Sequence, residues 1–361
     1  MTYNSTTKKF LNPNLTTLQP YVPGEQTQEN VFIKLNTNEN PFGPSPNVLK
    51  AIKEFLALSG QSLRLYPEPE SDSLRNALAK RYSCKKENIF VGNGSDEVLS
   101  LCFLAFFANR GLLSFPKLTY SFYPSIANLF NIPYERFPLN ENFELDLNKI
   151  PSEATSVIFP NPNALTGIVL KRKTIEETLR KNYQKLFIID EAYADFSDQS
   201  CVDLVNKHDN LLITQTFSKS RSLAGLRIGF SFGNENLIEA LTSVKNSFNS
   251  YPVDKIASIA ATSALENDEW YKDKIKQIKT NKNFLSSELQ NLGFRVLPSS
   301  ANFILITHND YSGLELKNTL MQDKILVRHF EHQDISNWIR VTIGTLDECT
   351  SVLDSLKRKI V

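Results

Sequence analysis

The chain has 361 residues, of which 41% are hydrophobic and 22% are charged. At about 150 residues per domain, this length predicts two domains or one large domain with a smaller lobe. The composition excludes a disordered chain. Forty basic and thirty-nine acidic residues leave a formal net charge of +1, which argues against a general nucleic-acid binder.

Membrane and disulfide-rich classes are also disfavoured. Residues 1–9 are polar and lack the apolar core of a secretory signal. The longest apolar run, residues 98–108, is too short to span a bilayer and predicts a buried helix. Four scattered cysteines without C-x-x-C spacing favour neither a disulfide scaffold nor a structural zinc site: Cys84, Cys102, Cys201 and Cys349. We therefore expect a cytoplasmic enzyme.

In chain order, a proline-containing arm over the first thirty-odd residues precedes helical apolar spacing from about Ser45 and again around Leu74 and Leu78. Short apolar runs then alternate with helical stretches. The runs are residues 88–91, 112–115, 156–159, 186–189, 211–214 and 228–231. Several are apolar at consecutive positions, as in strands buried on both faces, so they predict a largely parallel α/β sheet.

The pattern changes beyond about Pro252. A long helical stretch over residues 253–292 is followed by short apolar runs and a final helix from about Leu346. The runs cover residues 294–297, 302–306, 325–327 and 338–343, and they suit a smaller α/β lobe with an antiparallel sheet. We predict an arm with part of the small domain over 1–39, a large domain over 40–255 and a small domain over 256–361.

Parallel α/β sheets bind ligands where their strands end, so the residues after each apolar run are candidates. After the first run, residues 92–96 (GNGSD) lead into a helix, and such a glycine turn either binds a phosphate or is an ordinary turn capped by Ser95 or Asp96. After the fourth run, Asp190 could pair with a protonated ring nitrogen and Tyr193 with a phenolic oxygen. The alternative for the acid is a solvated cap or a metal ligand.

The most informative block follows the fifth run. Lys219 lies between Ser218 and Ser220, and Arg227 follows eight residues later. Lysine forms Schiff bases with carbonyl cofactors when burial or nearby positive charge lowers its pKa, and Ser218 with Arg227 could bind a phosphate beside it. A surface lysine and arginine near a turn is the alternative. Residues 160–167 alone predict only a tight loop.

Taken together, these segments resemble the fold-type I aminotransferases that depend on pyridoxal phosphate, and within them the branch that acts on histidinol phosphate. The likeness covers nearly the whole chain. It includes residues 20–24 (PYVPG), 35–43 (LNTNENPFG), 64–67 (RLYP) and, most specifically, the block from Ser218 to Arg227. It implies an α/β fold, with a mostly parallel seven-stranded sheet flanked by helices in the large domain and a smaller α/β C-terminal domain.

The resemblance also implies roles at the cofactor. Lys219 would bond covalently to pyridoxal 5'-phosphate and shuttle a proton, Asp190 would pair with the pyridinium nitrogen, and Tyr193 would donate to the phenolic oxygen. Tyr120 would stack on the ring. The phosphate would be bound by backbone N–H groups of Ser95 and Asp96, the Ser218 hydroxyl and Arg227. Tyr66 would reach the phosphate of the partner subunit, which implies a homodimer with shared active sites.

On the substrate side, the resemblance assigns Arg340 and Arg328 to anionic groups, Tyr21 to closing over them, and Asn38 to substrate contact. The implied reaction is amino transfer between L-histidinol phosphate and 2-oxoglutarate, giving 3-(imidazol-4-yl)-2-oxopropyl phosphate and L-glutamate in histidine biosynthesis. A threonine-phosphate decarboxylase and an aromatic-amino-acid aminotransferase of the same fold are alternatives. A non-catalytic ligand-binding regulator is a third, disfavoured by the intact motifs.

The chain departs from the family at two places. The usual Asn-Pro-Thr-Gly is replaced by residues 164–167 (ALTG), so Asn163 is the expected substitute at the phenolic oxygen, with Asn161 second. Residues 220–222 (SRS) stand where a small residue, an aromatic residue and glycine are more usual, and Arg221 is expected to face solvent. No metal site is expected, because the H-x-x-H pair at 329 and 332 is predicted in strand and loop.

Overall fold

The computed structural model describes residues 9–16, 18–26, 31–57 and 61–360. Its first eight strands are β1 (Ile33–Lys34), β2 (Ile89–Asn93), β3 (Leu112–Pro116), β4 (Tyr134–Phe137), β5 (Ala154–Pro160), β6 (Leu186–Asp190), β7 (Leu211–Thr216) and β8 (Ile228–Gly233). All but β1 form a seven-stranded sheet in the order β2-β8-β7-β6-β5-β3-β4. Only β8 runs against its neighbours, so the mostly parallel sheet is confirmed.

The central strands are buried on both faces, which explains their uninterrupted apolar sequence. In β5, Val157 and Phe159 belong to the core on one face of the sheet, and Ile158 belongs to the core on the other. The edge strand β4 is the one that the apolar pattern missed. Its Glu135 and Arg136 are exposed, because an edge strand needs apolar side chains at fewer positions.

Ten α-helices cover the sheets. They are α1 (Pro46–Ala57), α2 (Asp72–Tyr82), α3 (Gly94–Cys102), α4 (Phe122–Leu129), α5 (Arg172–Lys181), α6 (Glu235–Phe248), α7 (Lys255–Glu266), α8 (Asp268–Asn291), α9 (Gly313–Gln322) and α10 (Leu346–Ile360) among the described residues. Short 3₁₀ turns lie at Pro13–Thr16, Gln61–Arg64, Lys86–Asn88, Leu147–Lys149, Ala194–Phe196, Val202–Leu204 and Ala224–Leu226.

Two helical predictions have definite outcomes. The buried helix expected over 98–108 is confirmed, because α3 continues into a π-helical turn at Phe103–Phe107. The stretch over 253–292 is two helices rather than one, since Asn267 ends α7 and its side-chain amide donates to the Ser263 carbonyl at 2.8 Å. Within the described ranges, no helix has the length and apolar character needed to cross a membrane.

The smaller lobe contains β9 (Arg295–Val296), β10 (Phe303–Thr307), β11 (Ile325–Leu326), β12 (Arg328–His329) and β13 (Ile339–Thr342). Its antiparallel sheet has the order β12-β13-β10-β9, as the sequence predicts. The strand β1 pairs in parallel with β11, which brings the segment after the arm onto this lobe. The division of the chain at residues 39 and 255 stays a prediction.

Candidate active site

A cavity of about 580 Å³ lies where the carboxyl ends of the parallel strands face the antiparallel sheet. Twelve of the fourteen predicted site residues line it: Tyr21, Asn38, Ser95, Asp96, Tyr120, Asp190, Tyr193, Ser218, Lys219, Arg227, Arg328 and Arg340. They come from the arm, the large sheet and the small lobe. Asn163 and Tyr66 are not among the lining residues.

Lys219 follows β7 at the base of the cavity. Its Nζ donates to the Thr37 carbonyl at 2.9 Å and lies 5.9 Å from the centre of the Tyr193 ring. Loss of hydration and, second, the positive charge of Arg340 lower the pKa of this amine to about 8. A lysine amine with this pKa has a substantial neutral fraction near neutral pH, which is the nucleophilic form.

Asp190 is the last residue of β6 and is buried. Its carboxylate accepts hydrogen bonds from the Tyr123 hydroxyl at 2.9 Å and from the Ala192 backbone N–H at 3.1 Å. Burial raises the pKa of this carboxyl to about 6, and the two donors act in the opposite direction. Such a carboxylate is suited to pair with a buried cationic ring nitrogen.

Tyr193 is oriented by a residue from a distant part of the chain. The Asn38 side-chain amide donates to the Tyr193 hydroxyl at 2.8 Å, and Asn38 is itself fixed by Thr342, whose hydroxyl donates to its side-chain oxygen at 3.1 Å. Asn38 adopts a left-handed backbone with φ of 58°, which asparagine tolerates better than most residues. Asn38 therefore couples β13 to the tyrosine.

The start of α3 forms an anion cradle. Gly94 has φ of 82°, and a Cβ atom there would lie 2.5 Å from a guanidinium nitrogen of Arg227. Arg227 donates to the Asp96 carboxylate at 3.2 Å, and the Tyr120 hydroxyl donates to the other oxygen of Asp96 at 2.9 Å. Free N–H groups at a helix start, with an arginine against them, favour a phosphate.

Ser218 completes this cradle from the other side. Its hydroxyl oxygen accepts from the Thr216 hydroxyl at 3.0 Å, and both residues line the cavity. Gly229, on β8, allows the close approach, because a Cβ there would lie 2.4 Å from the backbone nitrogen of Ser95. The packing of β8 against the start of α3 thus depends on glycine.

The opposite wall carries two arginines directly across from each other. Arg328 on β12 is the register partner of Arg340 on β13, an arrangement that is unfavourable for like charges. Arg340 donates to the carbonyls of Ala164 and Asn36, each at 3.1 Å. Its buried Nε has no hydrogen-bond partner among the described residues. Burial lowers the pKa of Arg340. The pair suits an anionic ligand that would relieve the repulsion.

The arm closes this wall. Arg328 donates to the Val22 carbonyl at 3.0 Å and to the Pro23 carbonyl at 3.2 Å. Tyr21 lies edge-on to Tyr120, with ring centroids 5.7 Å apart. The arm therefore touches both a predicted substrate residue and a predicted cofactor residue. Residues 1–8, 17 and 27–30 of this region lie outside the described residues.

Asn163 is not brought to the cavity with the others. Its side-chain oxygen accepts from the backbone N–H groups of Leu165 and Thr166, at 2.9 and 3.2 Å, and its amide donates to the Leu118 carbonyl at 3.0 Å. Asn161 is used in a similar way, bonding both polar groups of Leu170. Both asparagines therefore brace the 160–167 loop, and neither lines the cavity.

Tyr66 lies on the outside of its own chain. It is 79% exposed and stacks on Tyr251 with ring centroids 4.6 Å apart. Leu63, Leu65 and Phe248 are also exposed, so this part of the surface is unusually apolar.

Two further outcomes concern residues that the sequence patterns misjudged. The expectation that Arg221 faces solvent is wrong, because its side chain is buried at 4% exposure and pairs with acidic residues. Tyr123, which bonds Asp190, was missed, as was the Thr37 carbonyl at Lys219. The signal for Tyr123 was weak, because a tyrosine in an apolar helix is usually a core residue.

Comparison with known proteins agrees with this geometry. Residues 30–356 match the model of the family "Aminotransferase class I and II". A histidinol-phosphate aminotransferase of Acinetobacter baumannii is 43% identical over 361 residues, covering all of both chains. One from Clostridium botulinum is 46% identical over 344 residues, covering 95% of this chain and 96% of its own.

A solved structure supports the fold. The histidinol-phosphate aminotransferase of Sinorhizobium meliloti, in complex with pyridoxal-5'-phosphate, superposes with a TM-score of 0.87 at 22% identity. The alignment covers 97% of each chain. With the lysine, the buried carboxylate and the anion cradle in one cavity, and with a family model matched over most of its length, the chain belongs to the class I and II aminotransferases.

Proposed function

We propose that this chain transfers an amino group between L-histidinol phosphate and 2-oxoglutarate, with pyridoxal 5'-phosphate as cofactor. The observation that carries the substrate class is the pair Arg328 and Arg340, opposed on neighbouring strands and facing the cavity that contains Lys219. Full-length relatives at 43% and 46% identity that are named for this activity support the same substrate.

The residues present fit the cofactor. Its phosphate matches the start of α3, where Gly94 leaves room and Arg227 supplies charge. Its ring nitrogen matches the buried Asp190, and its phenolic oxygen matches Tyr193. When bound, pyridoxal phosphate supplies a carbonyl group that joins to amines and a ring that accepts electrons from the substrate's α-carbon.

The chain's own groups divide the remaining work. Lys219 offers a larger neutral fraction of its amine than an ordinary lysine, because its pKa lies near 8, and after displacement it can carry a proton at the α-carbon. Asp190 stays ionised at neutral pH, because its pKa of about 6 lies below it, and so keeps the ring nitrogen protonated. Tyr123 holds that carboxylate in place through its 2.9 Å hydrogen bond.

The substrates differ in their anionic groups, and the arginine pair accommodates the difference. Histidinol phosphate carries a phosphate and no α-carboxylate, whereas glutamate carries two carboxylates. A planar guanidinium can bind either group through two N–H donors. We assign the phosphate to Arg328 and the α-carboxylate of glutamate to Arg340, with Tyr21 closing over that end.

We further propose a homodimer in the cytoplasm with the two active sites shared between subunits. The exposed aromatic pair of Tyr66 and Tyr251, beside Leu63, Leu65 and Phe248, supplies an apolar surface for the partner. In that dimer, Tyr66 reaches the phosphate cradle of the other subunit, which accounts for its absence from the cavity of its own chain. The boundaries at residues 39 and 255 are part of the same proposal.

The direct test is a substrate comparison with the purified protein and added cofactor. Glutamate should form from 2-oxoglutarate with histidinol phosphate as donor, much faster than with tyrosine or phenylalanine. Carbon dioxide should not be released from threonine phosphate. Faster decarboxylation, or equal rates with aromatic amino acids, would replace the proposal with one of those activities. Cofactor binding without any turnover would instead indicate a regulator.

The shared site has its own test. Lys219→Ala and Tyr66→Ala chains should each be weak or inactive alone. After equal amounts are mixed and the subunits exchange, about half of the dimers contain one chain of each variant. One of the two sites in each mixed dimer is intact, so about a quarter of the native activity should return. No recovery, despite mixed dimers seen by native mass spectrometry, would exclude a shared site.

A further inference from the structure

The buried Arg221 belongs to an ionic cluster directly behind the reactive lysine. Its Nη2 donates to the Asp268 carboxylate at 2.9 Å, and its Nε lies 3.7 Å from the Asp195 carboxylate. The guanidinium carbon lies 5.0 Å from the centre of the Tyr271 ring. This arginine occupies the position where an aromatic residue is more usual in the family. We therefore ask what its buried charge contributes to the site.

The cluster joins the two segments that contain the predicted cofactor residues. Asp195 lies two residues after Tyr193, in the turn Ala194–Phe196. Its carboxylate accepts a hydrogen bond from the Ser220 hydroxyl as well as pairing with Arg221. Two consecutive residues after Lys219 are therefore tied to one carboxylate on the segment that carries Asp190 and Tyr193.

Two other contacts hold the same loop. The Asn40 side-chain amide donates to the carbonyls of Lys219 and Ser220, at 3.1 and 3.2 Å. Asp268, at the start of α8, connects the loop to the helix that leads into the small lobe. The backbone around the lysine is thus held from several sides, which limits where its amine can lie.

We propose that Asp195 and Arg221 are positioning residues for Lys219: the ion pair between the buried Arg221 and the partly buried Asp195 fixes the lysine loop against the Asp190–Tyr193 segment. The proposal rests on the proposed function for its meaning, but not for its test. Without Asp195, Arg221 keeps only its pair with Asp268 among the described residues, and without Arg221, Asp195 keeps only Ser220, so either change weakens the link between the lysine loop and the Asp190–Tyr193 segment. The Lys219 amine would then be better hydrated and less precisely positioned in the cavity.

The experiment uses Asp195→Asn and Arg221→Met, singly and together, with Arg221→Lys as the conservative variant. The matched control is Arg75→Met. Arg75 is also a largely buried arginine, with its guanidinium bonded to the carbonyls of Ile89 and Lys86 and paired with Asp72. It lies on α2, reaches Ile89 at the start of β2, and is not among the residues that line the cavity.

The first readout does not need turnover. Cofactor-free protein is labelled with acetic anhydride across a pH series, and the peptide that contains Lys219 is quantified by mass spectrometry. Native protein should show a labelling midpoint near pH 8, following the low pKa of Lys219. In Asp195→Asn and Arg221→Met the midpoint should rise toward that of an ordinary lysine, because the amine is better hydrated. Arg221→Lys should stay close to native, and Arg75→Met should melt lower without moving the midpoint.

The second readout is kinetic. Asp195→Asn and Arg221→Met should each lower kcat by about 10-fold while KM changes less than about twofold, because a misplaced lysine affects chemistry rather than binding. The double variant should be no worse than the weaker single, since both remove the same interaction. Unchanged midpoints and kcat in both single variants would overturn the proposal and leave the cluster a structural ion pair. Absence of turnover in native protein would refute the proposed function alone.

Discussion

The two walls of the cavity hold their charged groups in different ways. On the large-domain wall, Asp190 accepts from the Tyr123 hydroxyl and the Ala192 N–H, and Arg227 pairs with the Asp96 carboxylate. On the small-lobe wall, Arg328 and Arg340 are held by backbone carbonyls of distant segments, and two like charges face each other. A carbonyl is a weaker partner for a guanidinium than an anionic oxygen. The charged groups of the first wall are therefore already paired without a ligand, whereas the arginines of the second wall would gain more from binding an anion.

This contrast assigns the largest expected effect to the large-domain wall. Lys219→Ala removes the covalent partner of the cofactor, so kcat should fall by more than about 1,000-fold while the fold is retained. Circular dichroism, thermal melting and a glutamate-formation assay measure these quantities. Substantial activity in the variant would refute the role of Lys219.

A matched variant separates chemistry from burial. Lys282 is also a buried lysine, with its amine donating to the carbonyls of Ser299 and Ala301 at 2.6 and 2.8 Å. Lys282→Ala should lower the melting temperature, yet borohydride should still fix the cofactor to the chain. Loss of fixation in this variant as well would mean that stability, not Lys219 itself, limits the labelling.

Arg328→Ala tests whether the small-lobe wall binds the phosphate of the substrate. Removal of a charged partner of the phosphate should raise KM for histidinol phosphate by about 30- to 100-fold, roughly 2–3 kcal/mol. A non-phosphorylated aromatic donor should be affected much less. Steady-state kinetics with both donors gives the ratio, and equal losses on the two would show that Arg328 does not bind the phosphate.

Lys117 offers the comparison for that measurement. It also lines the cavity, and its ammonium pairs with Asp334 at 2.8 Å. Lys117→Ala removes a cation without removing the arginine pair, so it should change both donors by a similar small factor. A preference as large as that of Arg328→Ala would mean that general positive charge, not one guanidinium, selects the phosphate.

A smaller effect is expected at Tyr123, which supports the large-domain wall from behind. Tyr123→Phe removes a donor to the Asp190 carboxylate and so favours its protonated form, raising its pKa above about 6. As the solution is acidified, the Asp190 carboxylate then becomes protonated at a higher pH than in the native protein. We expect the acidic limb of the kcat profile to move upward, with about a 10-fold loss near pH 6 and little change at pH 8. An unmoved limb would separate Tyr123 from Asp190.

The smallest effect concerns the loop after the lysine. Ser222 has φ of 58°, in the left-handed region where glycine is less strained. Ser222→Gly should therefore stabilise the protein by up to about 1 kcal/mol, as a rise of a few degrees in melting temperature. Ser83→Gly is the control, because Ser83 also has a left-handed backbone, with φ of 54°, at the end of α2. A gain at Ser83 alone would mean that Ser222 is held there by contacts glycine lacks.

Much of the large domain was predictable, because strands buried on both faces must be apolar at every position. The runs at β5, β6 and β7 were therefore visible in the sequence. The edge strand β4 was not, since solvent tolerates its charged residues. In the site, the residues directly following strands were found from their positions. Tyr123 was missed because its neighbours in α4 give no sign of the carboxylate that it reaches.

By itself, the sequence determined the elements, the family motifs and the identity of the reactive lysine, because these depend on residues close together along the chain. Only the tertiary structure decided which asparagine serves the cavity, since Asn163 is used by its own loop and Asn38 reaches Tyr193 from 155 residues away. It also decided that Arg221 is buried, because the carboxylates that neutralise its charge come from elements far apart in the chain. Such pairings follow from how the elements pack, and packing is not written in any local pattern.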